Sequence, residues 1–390
     1  MLKTVPGRKG EMAVIIKEMR DQIDQIDKKI VELLAQRQTL VRGIGRAKAK
    51  LGLPVYAPDR ELALIHSRKA EAKDLDLSPR LVEDILCRVM RESYSRERET
   101  GFKCLNPALG LITIIEEARG IGSLFAKMLL LSGYKVRVLG SDQEQETARD
   151  LLRETSLVMI SSSDGLTSRV LDYLECLSDS CILCCLTWVS FEILQQTMSI
   201  HRGPVLALCP LFDPDVVDLA KQVIVCCRGR CREHYQWLIE QLAIWGSTIL
   251  ECENVETYES TVMLSQSLQQ FKLFLYGYHL CKEGPDLGKL LEASSPSHRI
   301  ELMMVGQLFR QHSDSYRDMT FSPKKKNIGM IERFLESCSE VAKMLSRGDR
   351  LELSECVNDI VDFFEDYSPK LTKEYRDLLE RVNDSIHKGI

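Results

Sequence analysis

The stretch from Arg20 to Glu61, RDQIDQIDKKIVELLAQRQTLVRGIGRAKAKLGLPVYAPDRE, constrains the fold more than any other. Its first thirty residues form one long amphipathic helix: Ile23, Ile26, Ile30, Leu33, Leu34, Leu40, Val41 and Ile44 recur at three- and four-residue steps and share a broad stripe. Arg37 and Lys48 interrupt that stripe rather than the wet face. Eleven residues at about 100° each bring them within roughly 20° of one another around the helix. Two cations on an apolar face need an anion there, because an unpaired charge is costly away from water.

The rest of the composition is that of an ordinary globular protein. With 390 residues, 44% of them hydrophobic and 28% charged, the chain is long enough for two or three domains. A net charge of -5 gives no support for nucleic-acid binding. No apolar run reaches the length of a membrane span, and the first residues lack a signal peptide's apolar core, so a cytoplasmic location is expected. Fourteen cysteines in a chain of this size are expected to be reduced thiols. The groups Cys181, Cys184, Cys185 and Cys226, Cys227, Cys231 lack a second paired Cys/His knuckle at zinc spacing, so no metal site is expected.

Along the chain, residues 1–11 are polar and aperiodic, and Met12 could serve as an alternative start. Gly52 and Pro54 end the first helix. Pro58 and Asp59 open a second, through about Ala72, and Ser78-Pro79 opens a third, running to about Arg98. The inner stripe of the third helix is Leu81, Ile85, Val89, then Ser93 and Glu97. After a linker, the period changes. Leu111–Ile115, Ser123–Leu131 and Lys135–Leu139 read as strand, helix, strand, a βαβ unit. Further strands are expected at Leu157–Ser161, Cys181–Leu186, Val205–Cys209 and Gln222–Cys227. From His234 onward the pattern is almost entirely helical, with segments near 255–283, 297–311, 327–346 and 350–385. The expected division is an all-helical domain at 12–100, a linker at 101–110, a Rossmann-like α/β domain at 111–232 and an all-helical C-terminal domain at 233–390.

Arg20 lies seventeen residues before Arg37, roughly 25 Å up the helix and about 100° around it. It cannot meet the same ligand from the same helix, but it could from a partner's helix packed antiparallel. A homodimer with shared sites is therefore expected. With RDQID, LAQR, GRAK, LPVYAPDRE and VMRESYSRE in place, residues 12–98 resemble the all-helical chorismate mutases. The whole chain resembles the bifunctional chorismate mutase–prephenate dehydrogenases, the T-protein family. That resemblance implies that Arg20 of the partner, Arg37 and Arg60 grip the substrate's carboxylates. It implies that Lys48 and Glu97 address the ether oxygen, and that Glu61 and Ser93 contact the ring-hydroxyl end. The implied rearrangement of chorismate to prephenate is intramolecular and needs no nucleophile, metal or cofactor. It needs the flexible dianion held in its compact conformer, and stabilisation of charge growing on the ether oxygen. Glu97 assists only when protonated, and burial would raise its pKa.

Residues 104–390 resemble the dehydrogenase part in scaffold segments such as LFAKMLLLSGYKVRVL, GPVLAL, LAKQV, YQWLIEQLAIWG, LEASSP and RIELMMVGQLF. At the functional positions they depart from it. The dinucleotide fingerprint G-x-G-x-x-G falls on Glu117, Arg119 and Gly122, so one glycine of three remains, and Glu116 and Glu117 place carboxylates where phosphate should sit. The acidic residue at the end of the second strand is Gly140, with Asp142 a weak substitute. The family's HPMFG segment reads CPLFD, with Cys209 replacing the histidine that accepts the substrate proton, and a thiol is a poor general base there. The arginine for the prephenate carboxylate is Gln269, the upstream histidine is Thr257, and the SVP strand end is Ser161-Ser162-Ser163. The expectation is a chorismate mutase whose dehydrogenase-like domain has lost NAD-dependent activity and serves dimerisation or regulation, with a retained pocket that could alternatively bind a small aromatic regulator. Three other readings stand beside it: the full bifunctional enzyme using NAD, a mutase acting on amino- or isochorismate, and a non-catalytic regulatory protein. The complete cation and carboxylate set argues against the last.

Overall fold

The computed structural model describes residues 6–116, 120–140, 145–161, 168–186, 191–212, 216, 218–252, 255–310 and 325–386. They form two compact units, one holding nearly everything through residue 253 and the other the residues from 254 onward.

The first unit opens with α1 (Pro6–Leu51), α2 (Pro58–Asp74) and α3 (Pro79–Arg98). Helix α1 begins earlier than the polar opening suggested and extends about 70 Å. Gly52, at φ 75°, ends it in the left-handed region. The hydroxyl of Ser78 accepts from the Leu81 N–H at 3.4 Å and caps α3, with Pro79 at the first helical position. The apolar stripe of α1 is not buried within one chain. Val41 is covered, but Ile23, Ile26, Ile30, Leu33, Leu40 and Ile44 each keep about half or more of their surface exposed, and Leu81 and Ile85 of α3 do too.

A seven-stranded sheet follows, in the order β2-β1-β3-β4-β5-β6-β7. Its strands are β1 (Leu111–Glu116), β2 (Val136–Gly140), β3 (Thr155–Ser161), β4 (Ile182–Leu186), β5 (Val205–Pro210), β6 (Val223–Arg228) and β7 (Thr248–Glu251). Pairing is parallel from β2 through β5, β6 runs antiparallel to β5, and β7 runs parallel to β6. The near-continuous Val, Ile, Leu and Cys runs suit strands covered on both faces. Helices α4 (Ile121–Leu131), α5 (Gln145–Arg153), α6 (Ser168–Leu174), α7 (Phe191–Ile200) and α8 (Arg232–Ile244) accompany them. Phe125, Met128, Leu129, Tyr235 and Trp245 are the large side chains of the core. Buried Gln241 ties residues 103–105 to this core. It donates to the Lys103 carbonyl at 3.0 Å and accepts from the Leu105 N–H at 3.2 Å, so the linker is packed.

The helical reading from His234 onward misses β7, a four-residue edge strand too short to show a period. Both α8 and β7 belong to the unit with the sheet, whereas the sequence placed the start of the helical C-terminal domain at 233. The second unit contains α9 (Val255–Val262), a π-helical turn at Met263–Ser267, α10 (Leu268–Glu283), α11 (Leu287–Glu292) and α12 (Pro296–Arg310). Three more helices span Lys325–Arg347, Arg350–Phe364 and Ser368–Ile386. The expected single segment at 350–385 is two helices. Pro369, with no N–H to give and a disfavoured helical residue before it, starts the second as a new helix.

Candidate functional site

Helices α1 and α3 approach closely at Gly45. A Cβ there would lie 3.0 Å from the Glu97 Cα and 3.0 Å from the Thr100 hydroxyl, so glycine lets one backbone rest on the other. Three residues on, the Lys48 ammonium meets Glu97 Oε2 at 2.8 Å and the Val55 carbonyl at 2.8 Å. Glu97 is 6% exposed. Burial pushes its pKa above the ordinary carboxylate range, against the opposing pull of Lys48 and then Arg37. Arg37 donates to the buried Ser93 hydroxyl, which itself donates to the Val89 carbonyl at 2.8 Å. Four of the residues predicted from sequence are thus brought together as Lys48 with Glu97 and Arg37 with Ser93.

The other three stand differently. Glu61, on the first turn of α2, has a side chain only 10% exposed. Its two carboxylate oxygens accept from the Tyr94 hydroxyl and from the Lys221 ammonium. Burial, and then the carboxylate of Glu61 taking its hydroxyl hydrogen, hold Tyr94 well above the ordinary phenol range. Arg60 is exposed beside Glu61, and Arg20 is exposed on α1. Tyr94, Lys221 and the Val55 carbonyl were not anticipated. Tyr94 follows Ser93 directly and could have been suspected; Lys221 carried no signal.

Of the fingerprint positions, Glu117 and Arg119 lie outside the described residues. Gly122 is described, and a Cβ on it would lie 3.0 Å from Ile114, 3.0 Å from Ser161 and 3.1 Å from the Glu116 carboxylate. It is the glycine that packs helix against strand. The N-terminus of α4, where such a fold would bind pyrophosphate, is occupied by the chain itself. Glu116 Oε1 accepts from the Gly120 N–H at 2.8 Å and the Ser123 N–H at 3.1 Å, and Oε2 accepts from the Ser123 hydroxyl at 2.6 Å. The Gly122 N–H donates to the Ser161 hydroxyl at 3.2 Å. A carboxylate already holds the donors and the positive end of the helix, so these residues do not fit a dinucleotide phosphate.

Cys209 is 1% exposed at the end of β5. Gln269 on α10 accepts from Lys272 at 3.3 Å. The side chain of Thr257, and Asp142, Ser162 and Ser163, lie outside the described residues. Burial pushes the thiols of Cys185 and Cys226 up to about 11 and that of Cys181 to about 12, so they behave as small apolar groups. Among the described residues, no cluster of His, Cys, Asp and Glu is placed to hold a metal ion, and no helix is long and apolar enough to cross a membrane.

Residues 19–98 match the chorismate mutase type II family. A helical chorismate mutase domain joined to a dehydrogenase-like sheet domain is the class that fold and site define. The chain is 40% identical to the T-protein of Enterobacter agglomerans over 374 residues, 96% of this chain and 100% of that protein. It is 36% identical to the T-protein of Haemophilus influenzae over 370 residues, 95% of this chain and 97% of that protein. The chain belongs to the T-protein family. A solved prephenate dehydrogenase from A. aeolicus, in complex with hydroxyphenyl propionate and NAD+, covers 66% of this chain and 98% of its own, at 14% identity and a TM-score of 0.47.

Proposed function

We propose that the protein converts chorismate to prephenate at the α1–α3 site, and that its sheet domain has lost NAD-dependent dehydrogenase activity. The carrying observation is the buried Lys48–Glu97 pair, with Arg37 and Ser93 held beside it. In the rearrangement an ether C–O bond breaks as a C–C bond forms within one molecule, so the protein supplies conformation and charge stabilisation. Arg37 and Arg60 bind the two carboxylates, for which the planar guanidinium fork is suited. The Lys48 ammonium meets the negative charge growing on the ether oxygen, and protonated Glu97 donates to the same atom. Glu61 and Ser93 take the ring-hydroxyl end.

Arg20 enters from a second copy. The bare apolar stripe of α1 supports this: a face of Ile, Leu and Met some 50 Å long is covered by the same face of a partner, the isologous contact of a two-fold dimer. The loss of dehydrogenase activity is supported by Glu116, which fills the anion site that NAD would need, and by Cys209 in place of a basic imidazole. The reduced thiols suit a cytoplasmic enzyme. Titrating the purified protein with NAD in a calorimeter tests the loss. No saturable heat is expected up to millimolar NAD, and micromolar binding would contradict it.

A further inference from the structure

Both oxygens of Glu61 are engaged, and one of the two donors comes from the other end of the unit. Lys221, 160 residues on in sequence, leaves the connection between β5 and β6 and places its ammonium on Glu61. We infer that Lys221 is a positioning residue for the mutase reaction, through which the sheet domain sets the orientation of Glu61. This rests on the reading of Glu61 as a substrate contact.

Four observations carry it. Lys221 has φ 66°, in a turn closed by the Gln222 N–H on the Leu219 carbonyl at 3.1 Å. That conformation favours glycine or asparagine, so a lysine there is strained and is explained by what its side chain reaches. The backbone of the turn is fixed, the Lys221 N–H donating to the Gly246 carbonyl at 2.9 Å. The ammonium sits in an aromatic corner, 5.2 Å from the Tyr56 ring centre and 5.8 Å from that of Tyr94, the two rings meeting edge-on at 6.0 Å. Finally, the segment that leads into α2 is fastened to the same part of the sheet domain. The Val55 N–H donates to the Ile244 carbonyl at 3.1 Å, and a Cβ on Gly246 would come within 3.3 Å of Tyr56. Val55 also gives its carbonyl to Lys48, so one short segment connects the sheet domain to both carboxylates of the site.

Lys221 is 42% exposed, and an ion pair that open adds little to stability. Its effect belongs in how the substrate is held, and that separates positioning from a structural role. The test uses the whole 390-residue chain as Glu61→Gln, Lys221→Met, the double variant and Lys221→Arg, with chorismate consumption and thermal unfolding measured for each. Lys221→Met is expected to raise KM roughly threefold to tenfold, with kcat within about twofold of wild type and Tm within about a degree. It adds nothing in the Glu61→Gln background, and Lys221→Arg recovers most of the loss. A wild-type KM in Lys221→Met, with Glu61→Gln impaired, would overturn the inference. So would equal losses of Tm and kcat with and without Glu61. A wild-type KM in Glu61→Gln itself would instead remove the site reading on which the inference rests.

Discussion

At Glu97 two effects compete. Burial favours the neutral acid, while Lys48 and Arg37 favour the carboxylate, and burial prevails, so the pKa lies above the ordinary carboxylate range. The folded protein holds this proton more tightly than the unfolded chain. The contribution to stability is complete below the ordinary carboxylate pKa and is lost as pH rises through the raised one. On the proposed reading only the acid donates to the ether oxygen, so mutase activity follows the same sign. A pH profile should fall on the alkaline side of the raised pKa, and Glu97→Gln, a donor at every pH, should flatten it. An unchanged profile in that variant would rule out the assignment. Lys48→Met should cut kcat/KM by about a hundredfold or more, since it removes the ammonium that meets Glu97. These two residues were legible in the sequence because each is a charge interrupting an apolar stripe. Lys221 was not. It resembles any surface lysine, and its partner is named only by a fold that closes 160 residues of chain.

Among the elements, α1 and α4 show how much rests on close approach. Replacing Gly45 by alanine removes a glycine from a helix interior, a gain of about 0.5–1 kcal/mol, but forces a methyl against the Glu97 backbone, costing about 1–3 kcal/mol. Gly45→Ala should therefore lower Tm and reduce mutase activity together, as the Lys48–Glu97 distance opens. At α4, Glu116→Ala removes three hydrogen bonds from the helix N-terminus and should destabilise the protein by about 1–3 kcal/mol, measured by denaturant unfolding, without creating NAD binding. The periodicity showed α1, α2, α3 and the strands from β1 to β6, because apolar spacing of 3.6 or a continuous β-branched run survives in the sequence. It showed carboxylates near the phosphate site but not that Glu116 caps its own helix, which depends on the turn geometry. The edge strand β7 and the break before Ser368 were missed for local reasons, four residues in one case and a single proline in the other.

For the whole molecule, the long apolar stripe was legible but its covering was not, since within one chain most of it stays exposed. A shared site makes a sharp prediction. Arg20→Ala and Arg37→Ala should each be nearly inactive alone. When unfolded together and refolded as a mixture, roughly a quarter of the sites should regain both arginines, because half the dimers are mixed and each mixed dimer has one intact site. No recovery on mixing would place Arg20 outside the site. On the proposed reading, one active centre works on a scaffold built for two. The most direct test of that reading is a paired assay on one preparation, following chorismate disappearance alone and then NADH formation from prephenate and NAD. Mutase turnover with no NADH is expected. NADH formation would contradict it, by showing that the site filled by Glu116 opens to a dinucleotide and that Cys209 has a base to replace the missing imidazole.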